Sequence, residues 1–293
     1  MKVNGCDCSI VIKTTHKEYD VPYAEETIRE AVSLLKEEAA IEGDGVCRAI
    51  HKKGGVTGCI VTPLTIGTTP LLLYLAMGST GKPVFVSETR DLYKYDLTLT
   101  PYEDVDMFDL IQDRGNGTNE VCLRKHYDGC GVIGFELRFL RSEAIKLKLD
   151  IISERSPIIY PYTETIEREN GERFSGDCVS YLINGKEYKN IYGLTLSVKK
   201  EGGTKTELWI KRSLEKGFDL PANIEELIIT AQLTRDKYES RFFGIFRITL
   251  KRLVLISDET NVNSADTVIA PLRFYVSGNV FTEVFTSGEG GLS

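Results

Sequence analysis

The side chains of this 293-residue chain with chemical potential are seven cysteines, three histidines and several groups of carboxylates. Cys122, His126 and Cys130 recur at four-residue spacing, Cys47 stands four before His51, and Cys6 and Cys8 flank a single residue. Thiolate and imidazole at short spacing are the raw material of a zinc site, yet no two CxxC pairs accompany them. The cysteines are therefore read as small strand residues that pack like Ala or Val. Asp104, Asp106 and Asp109 crowd one polar loop and offer oxygen ligands, but the EF-hand spacing is missing and the loop reads as solvated. Glu25–Glu26, Glu37–Glu38 and Glu225–Glu226 are adjacent in sequence. Adjacent side chains on a helix diverge, a poor geometry for paired acid/base work, so they read as surface charge. His16, His51 and His126 lie on strand-like segments with no nucleophile beside them. G-x-S-x-G, H-E-x-x-H and G-x-x-x-x-G-K-[ST] are absent. The expectation is a protein that is not an enzyme, with no catalytic residue, no cofactor and no metal ligand.

The elements that must carry these residues are mostly strands. Phe135, Leu137 and Phe139 alternate with Glu136 and Arg138, and Ile145, Leu147, Leu149 and Ile151 with Lys146, Lys148 and Asp150, which predicts an antiparallel hairpin turning at Arg141 to Glu143. Tyr93, Tyr95, Leu97 and Leu99 alternate likewise, as do Leu194, Leu196 and Val198. Phe246, Ile248 and Leu250 share one face before Leu253 and Leu255 take the other phase, so a bulge is expected at Lys251–Arg252. Ser277-Gly278-Asn279 between two apolar runs reads as a tight hairpin turn. Two segments break the pattern. Ala24 to Ala40 spaces Ile28, Ala31, Val32, Leu35 and Ala39 as an amphipathic helix does, although the stretch also admits a strand from Ala31 to Leu35. Thr68-Thr69-Pro70, a leucine run and Gly78 predict a short buried helix.

The hairpin that begins at Val132 has an echo at Ile191 to Ile210. Pro157 and Pro161 interrupt the strands between the copies, which suggests two β domains, 1–157 and 158–293. Hydrophobic residues at 42% and charged residues at 27% are those of a globular chain. A net charge of -7 argues against a protein that coats nucleic acid. The longest apolar run, Pro70 to Met77, is too short to span a bilayer, and Met1 to Cys8 lacks the apolar core of a signal peptide, so cytosolic folding without a disulfide framework is expected.

Gly58-Cys59-Ile60-Val61-Thr62-Pro63-Leu64, the helix ending Leu75-Ala76-Met77-Gly78-Ser79, Tyr95 to Thr100 with Pro101, Met107 to Gly115, and Tyr127-Asp128-Gly129-Cys130-Gly131-Val132-Ile133 follow one another in this order. The succession resembles the tail tube proteins of long-tailed bacteriophages and related phage-derived particles, over about Val56 to Ile152 and more loosely beyond; Ala24 to Ala40 departs from the family's pattern. The resemblance implies a mainly β subunit of antiparallel sandwich or half-barrel modules with one or two short helices. Such subunits form rings, three or six chains each, around a continuous inner β-barrel. The rings stack into a tube through which DNA passes, in a virion tail assembled in the host cytoplasm. It also implies tail terminator, tape measure and baseplate proteins as partners, and no membrane. The acidic balance suits a conduit, because carboxylates facing the lumen repel phosphates. Val132 to Ile152 and Tyr192 to Lys211 are the hairpins expected to form the inner barrel, with Glu136, Glu143, Asp150, Glu201 and Glu207 as lumen or inter-ring candidates. The Asp104 to Asp109 loop and the Ser287 to Ser293 tail are candidates for contacts between rings. One rival is a carbohydrate-binding or adhesin-like sandwich that uses Tyr160, Tyr162, Tyr181, Tyr188 and Tyr192; another is an enzyme with a dispersed carboxylate site.

Overall fold

The computed structural model describes residues 8–14, 18–37, 48–78, 84–87, 92–101, 106–115, 121–161, 172–213, 220–234, 243–258 and 269–287. In chain order these form β1 (Cys8–Lys13), β2 (Glu18–Val21), β3 (Glu25–Glu26), β4 (Arg29–Glu37), β5 (Arg48–Pro63), helix α1 (Thr69–Met77), β6 (Val84–Ser87), β7 (Leu92–Thr98), β8 (Phe108–Gly115), β9 (Val121–Leu140), β10 (Lys146–Ser153) and β11 (Ile158–Tyr160). There follow β12 (Val179–Ile183), β13 (Lys186–Glu187), β14 (Ile191–Lys199), β15 (Lys205–Ser213), β16 (Asn223–Thr234), β17 (Phe243–Asp258), β18 (Ile269–Val276) and β19 (Val280–Ser287). The fold is mainly β and antiparallel, as the alternation requires, with one α-helix among the described residues, and the sheet is not closed into a barrel.

One layer runs β5–β10–β9–β14–β15–β18 through the C-terminal half of β9. Phe135, Leu137 and Phe139 of β9, Leu147 and Leu149 of β10, and Leu194 and Leu196 of β14 are all buried, and the residues between them face outward. A second layer runs β12–β16–β17–β19–β7–β6. Phe139 meets Phe246 of β17 with ring centroids 6.1 Å apart, and Phe246 meets Phe174 edge-on at 5.1 Å, so both layers share one core. Each such fully buried side chain contributes about 1.5–3 kcal/mol. A smaller sheet, β2–β1–β8–β9–β11, uses the other half of β9. The hairpins β9–β10 and β14–β15 stand side by side through the β9–β14 ladder, and this ladder and β7–β19 both run between the ranges 1–157 and 158–293.

Two expectations are corrected. Ala24 to Ala40 is not helical where it is described. β3 and β4 pair with β5, from Glu25↔Val61 to Glu37↔Arg48. The helical spacing of Ile28, Ala31, Val32 and Leu35 loses to the long ladder that β5 offers. The strand across Ala31 to Leu35 is the alternative that forms, and Ala39 and Ala40 lie outside the described residues. Ser277-Gly278-Asn279 is not a hairpin reversal. β18 and β19 both lie antiparallel to β17, one after the other, beside Leu253–Asp258 and Gly244–Leu250 respectively. β17 bends at the expected bulge, where Arg252 has φ +54, and its companion must bend at the same level. Gly278 donates its N–H to Lys251 O (3.0 Å), and Lys251 N–H bonds Asn279 O (3.2 Å).

Helix α1 forms as expected. Pro70 sits in its first turn, and Gly78, at φ +103, returns its N–H to Tyr74 O at 2.7 Å. Leu71, Leu72, Leu73, Leu75 and Met77 are buried against strands that include β7, β9 and β19.

Candidate functional site

The outer face of the first layer gathers three of the five expected carboxylates. In register, Lys148, Glu136, Ser197, Glu207 and Tyr275 form one row across the strands, and Lys146, Arg138, Thr195, Trp209 and Arg273 form the next. Glu136 is ion-paired with Arg138, and Asp150 with Lys148 at 2.8 Å. Glu207 takes a forked pair from Arg273 at 2.8 Å, whose guanidinium lies 4.9 Å over the Trp209 ring. Asp150 first of all, through its hydrogen bond, raises the Lys148 pKa. Glu143 and Glu201 are not on this face but in the turns at opposite ends of the strands, Glu143 paired with Lys146 at 3.4 Å and Glu201 exposed. Lys199 and Lys205 face each other across the β14–β15 ladder. Apart from these two lysines the face is a lattice of matched charges, each exposed pair contributing about 0–1 kcal/mol. At its edge, Asp150, Glu201 and Lys199 line a cleft of about 440 Å3, floored by Gly58, Cys59, Ile133 and Gly134.

A different cluster lies on the β8–β9 ladder. Phe108 pairs with Cys130 and Leu110 with Tyr127, so Asp128 and Gly129 together oppose Asp109. This is a bulge with glycine in the left-handed region, Gly129 at φ +60. The bulge sets the chemistry. His126 and Asp128 remain on the outer side beside Asp109, while the phase slip turns Cys130 into the core, fully buried. His126 Nε2 lies 3.2 Å from Asp128 Oδ1 and 3.5 Å from Asp109 Oδ2. Asp109 Oδ1 accepts the Gly129 N–H at 3.0 Å. Burial above all, with Asp109 and then Asp128 adding to it, pushes the Cys130 thiol up to about 12, which keeps it protonated.

The sequence missed this trio. It grouped His126 with Cys122 and Cys130, and Asp109 with Asp104 and Asp106. Asp106 is exposed outside the trio, Asp104 lies outside the described residues, and nothing is described of the Cys122 side chain. The available signal was Asp128-Gly129, a dipeptide suited to a left-handed kink.

No protein-family model and no curated protein matches the chain. Asp113, buried between β1 and β9, takes a two-point pair from Arg124, both bonds at 2.6 Å, and accepts Ser9 Oγ at 3.4 Å. Tyr127 donates to Gln112 at 3.2 Å, and Gln112 donates to Glu26. Lys200, 3% exposed, has no hydrogen-bond partner for its amine among the described residues, and burial pulls its pKa down to about 8. Of the tyrosines considered for sugar stacking, Tyr181 is buried, Tyr188 and Tyr192 are half-buried beside Lys186 and Arg141, and Tyr162 lies outside the described residues.

Proposed function

We propose that this chain is a structural subunit of a phage-type tail tube, associating with copies of itself into three- or six-chain rings that stack around a channel for DNA. The observation that carries this reading is a sheet edge with no second partner strand among the described residues. β6 pairs with β7, and its Val84, Phe85 and Val86 are 56%, 46% and 50% exposed. An apolar edge of this kind is a template for a strand from another chain. Val254, Ile256, Tyr275 and Phe281 expose a second apolar patch around the β17–β18–β19 corner. Two different patches on one subunit suit a head-to-tail contact, the kind that closes rings. The matched charges of the outer layer favour transient passage over capture, since a wall of paired ions presents phosphates with little net field. In this reading Glu136, Asp150 and Glu207 line the channel, Glu143 and Glu201 at the strand ends meet neighbouring rings, and the tube sits in a virion tail with terminator, tape measure and baseplate proteins at its ends.

Negative-stain microscopy and sedimentation of the purified chain test the reading. Wild type should give rings or tubes, and Val86→Lys, which places a charge on the edge without touching the core, should give folded monomers. A wild-type chain that stays a monodisperse monomer at all concentrations, or a Val86→Lys variant that still assembles, would refute it.

A further inference from the structure

We propose that Asp109, His126 and Asp128 form a binding site for a divalent first-row transition cation, with zinc the best fit. A zinc ion about 2.0–2.2 Å from imidazole nitrogen and carboxylate oxygen holds tetrahedral ligand atoms about 3.4 Å apart. The Nε2-to-oxygen separations of 3.2 and 3.5 Å match that spacing, and one ligand atom from each residue lies within 4.8 Å of the other two. His126 Nε2 is buried and makes no hydrogen bond, although both carboxylates are beside it. A buried ring nitrogen left in that state is costly, and a cation between the three groups satisfies all of them and offsets the mutual repulsion of the two carboxylates.

The site is built before any ion arrives. The Gly129 bulge fixes Asp128 beside Asp109, and the Gly129 N–H holds one oxygen of Asp109 so that the other faces His126. A ligand anchored this way by an outer hydrogen bond is characteristic of metal centres. The mixed nitrogen and oxygen donor set suits zinc and its neighbours, whereas calcium and magnesium take oxygen sets. All three residues are half-buried, which leaves the remaining coordination position to solvent. A bound ion would cross-link β8 to β9 where their ladder is interrupted.

The test is zinc titration of the EDTA-treated full chain by calorimetry, repeated with Co(II) and read by absorption. The wild-type chain should bind a single zinc ion at this site, with its thermal midpoint rising, and Co(II) should show ligand-field bands without a thiolate charge-transfer band. His126→Gln and Asp128→Asn, checked for native folding by circular dichroism, should each bind at least about tenfold more weakly. Asp109→Asn keeps an oxygen for the Gly129 N–H and should lose zinc without losing the bulge. The proposal fails if wild type shows no saturable zinc binding, if the folded variants bind as tightly as wild type, or if the cobalt spectrum carries a thiolate band, which would place the metal on cysteines.

Discussion

Lys200 is an ammonium group in the core, and removing it should make the protein more stable. Its side chain is 3% exposed with no partner among the described residues, and burial lowers its pKa from the usual 10.5 to about 8. That displacement corresponds to about 2–3 kcal/mol against the charged form at pH 7, allowing for partial solvent contact. Lys200→Met keeps the length of the side chain and the backbone bond from Lys200 N–H to Ile133 O (2.8 Å) while removing the charge. Below pH 8 both folded and unfolded wild type hold the proton, and the cost is paid in full. Between about pH 8 and 10.5 the folded chain has released the proton and the unfolded chain still binds it, so the Lys200 contribution to stability rises with pH. Burial raises the pKa values of the Cys130 thiol and the Tyr181 hydroxyl, which gives the opposite slope at alkaline pH. Those groups are present in both chains and cancel in the difference. Urea unfolding at pH 7, 8, 9 and 10 should show Lys200→Met ahead by about 2–3 kcal/mol at pH 7, with the gap closing toward pH 10. A Met variant less stable than wild type at pH 7, or a gap independent of pH, would refute the reasoning.

Asp113→Ala leaves the Arg124 guanidinium without its two-point partner in a buried setting and should cost about 3–5 kcal/mol in urea unfolding, far more than removal of the exposed Glu143. Gly58→Ala would bring a Cβ within 2.5 Å of Ile28 Cα and 2.7 Å of Thr27 O, backbone that cannot step aside, so a loss of about 1–3 kcal/mol is expected in the same assay. Gly129→Ala meets no atom within 4 Å, and its penalty should be only the left-handed backbone, about 1–2 kcal/mol by thermal unfolding.

Much of the fold was legible because a half-buried sheet writes its period directly into the sequence. Phe135, Leu137 and Phe139 point inward for the reason that Glu136 and Arg138 point outward. The same logic located the Lys251–Arg252 bulge, which reverses the phase. It offered β4 only as the alternative to a helix, because Ile28, Ala31, Val32 and Leu35 also fall at helical spacing and local spacing cannot reveal the ladder that β5 supplies. Ser277-Gly278-Asn279 has the composition of a reversal, but its course is dictated by the bend in β17, a strand more than twenty residues earlier in the chain. The carboxylates Glu136, Asp150 and Glu207 were visible as outward positions, the first two beside Arg138 and Lys148 on their own strands, while Arg273, which reaches Glu207 from β18, was not. Asp109 and His126 come together because Leu110 pairs with Tyr127 across the β8–β9 ladder, and nothing in either residue's own neighbourhood shows the other.

The β7–β19 ladder joins Thr98 to Phe281 and Leu92 to Ser287. During synthesis on the ribosome, β7 emerges long before its principal neighbour, with the short apolar β6 paired to its other side. The nascent chain must therefore keep one flank of this layer out of reach of other nascent chains until translation of β19 is complete. A truncated or stalled product would leave the β19 side of β7 open in addition to the β6 edge, and ribosome-bound chaperones would find their natural target there.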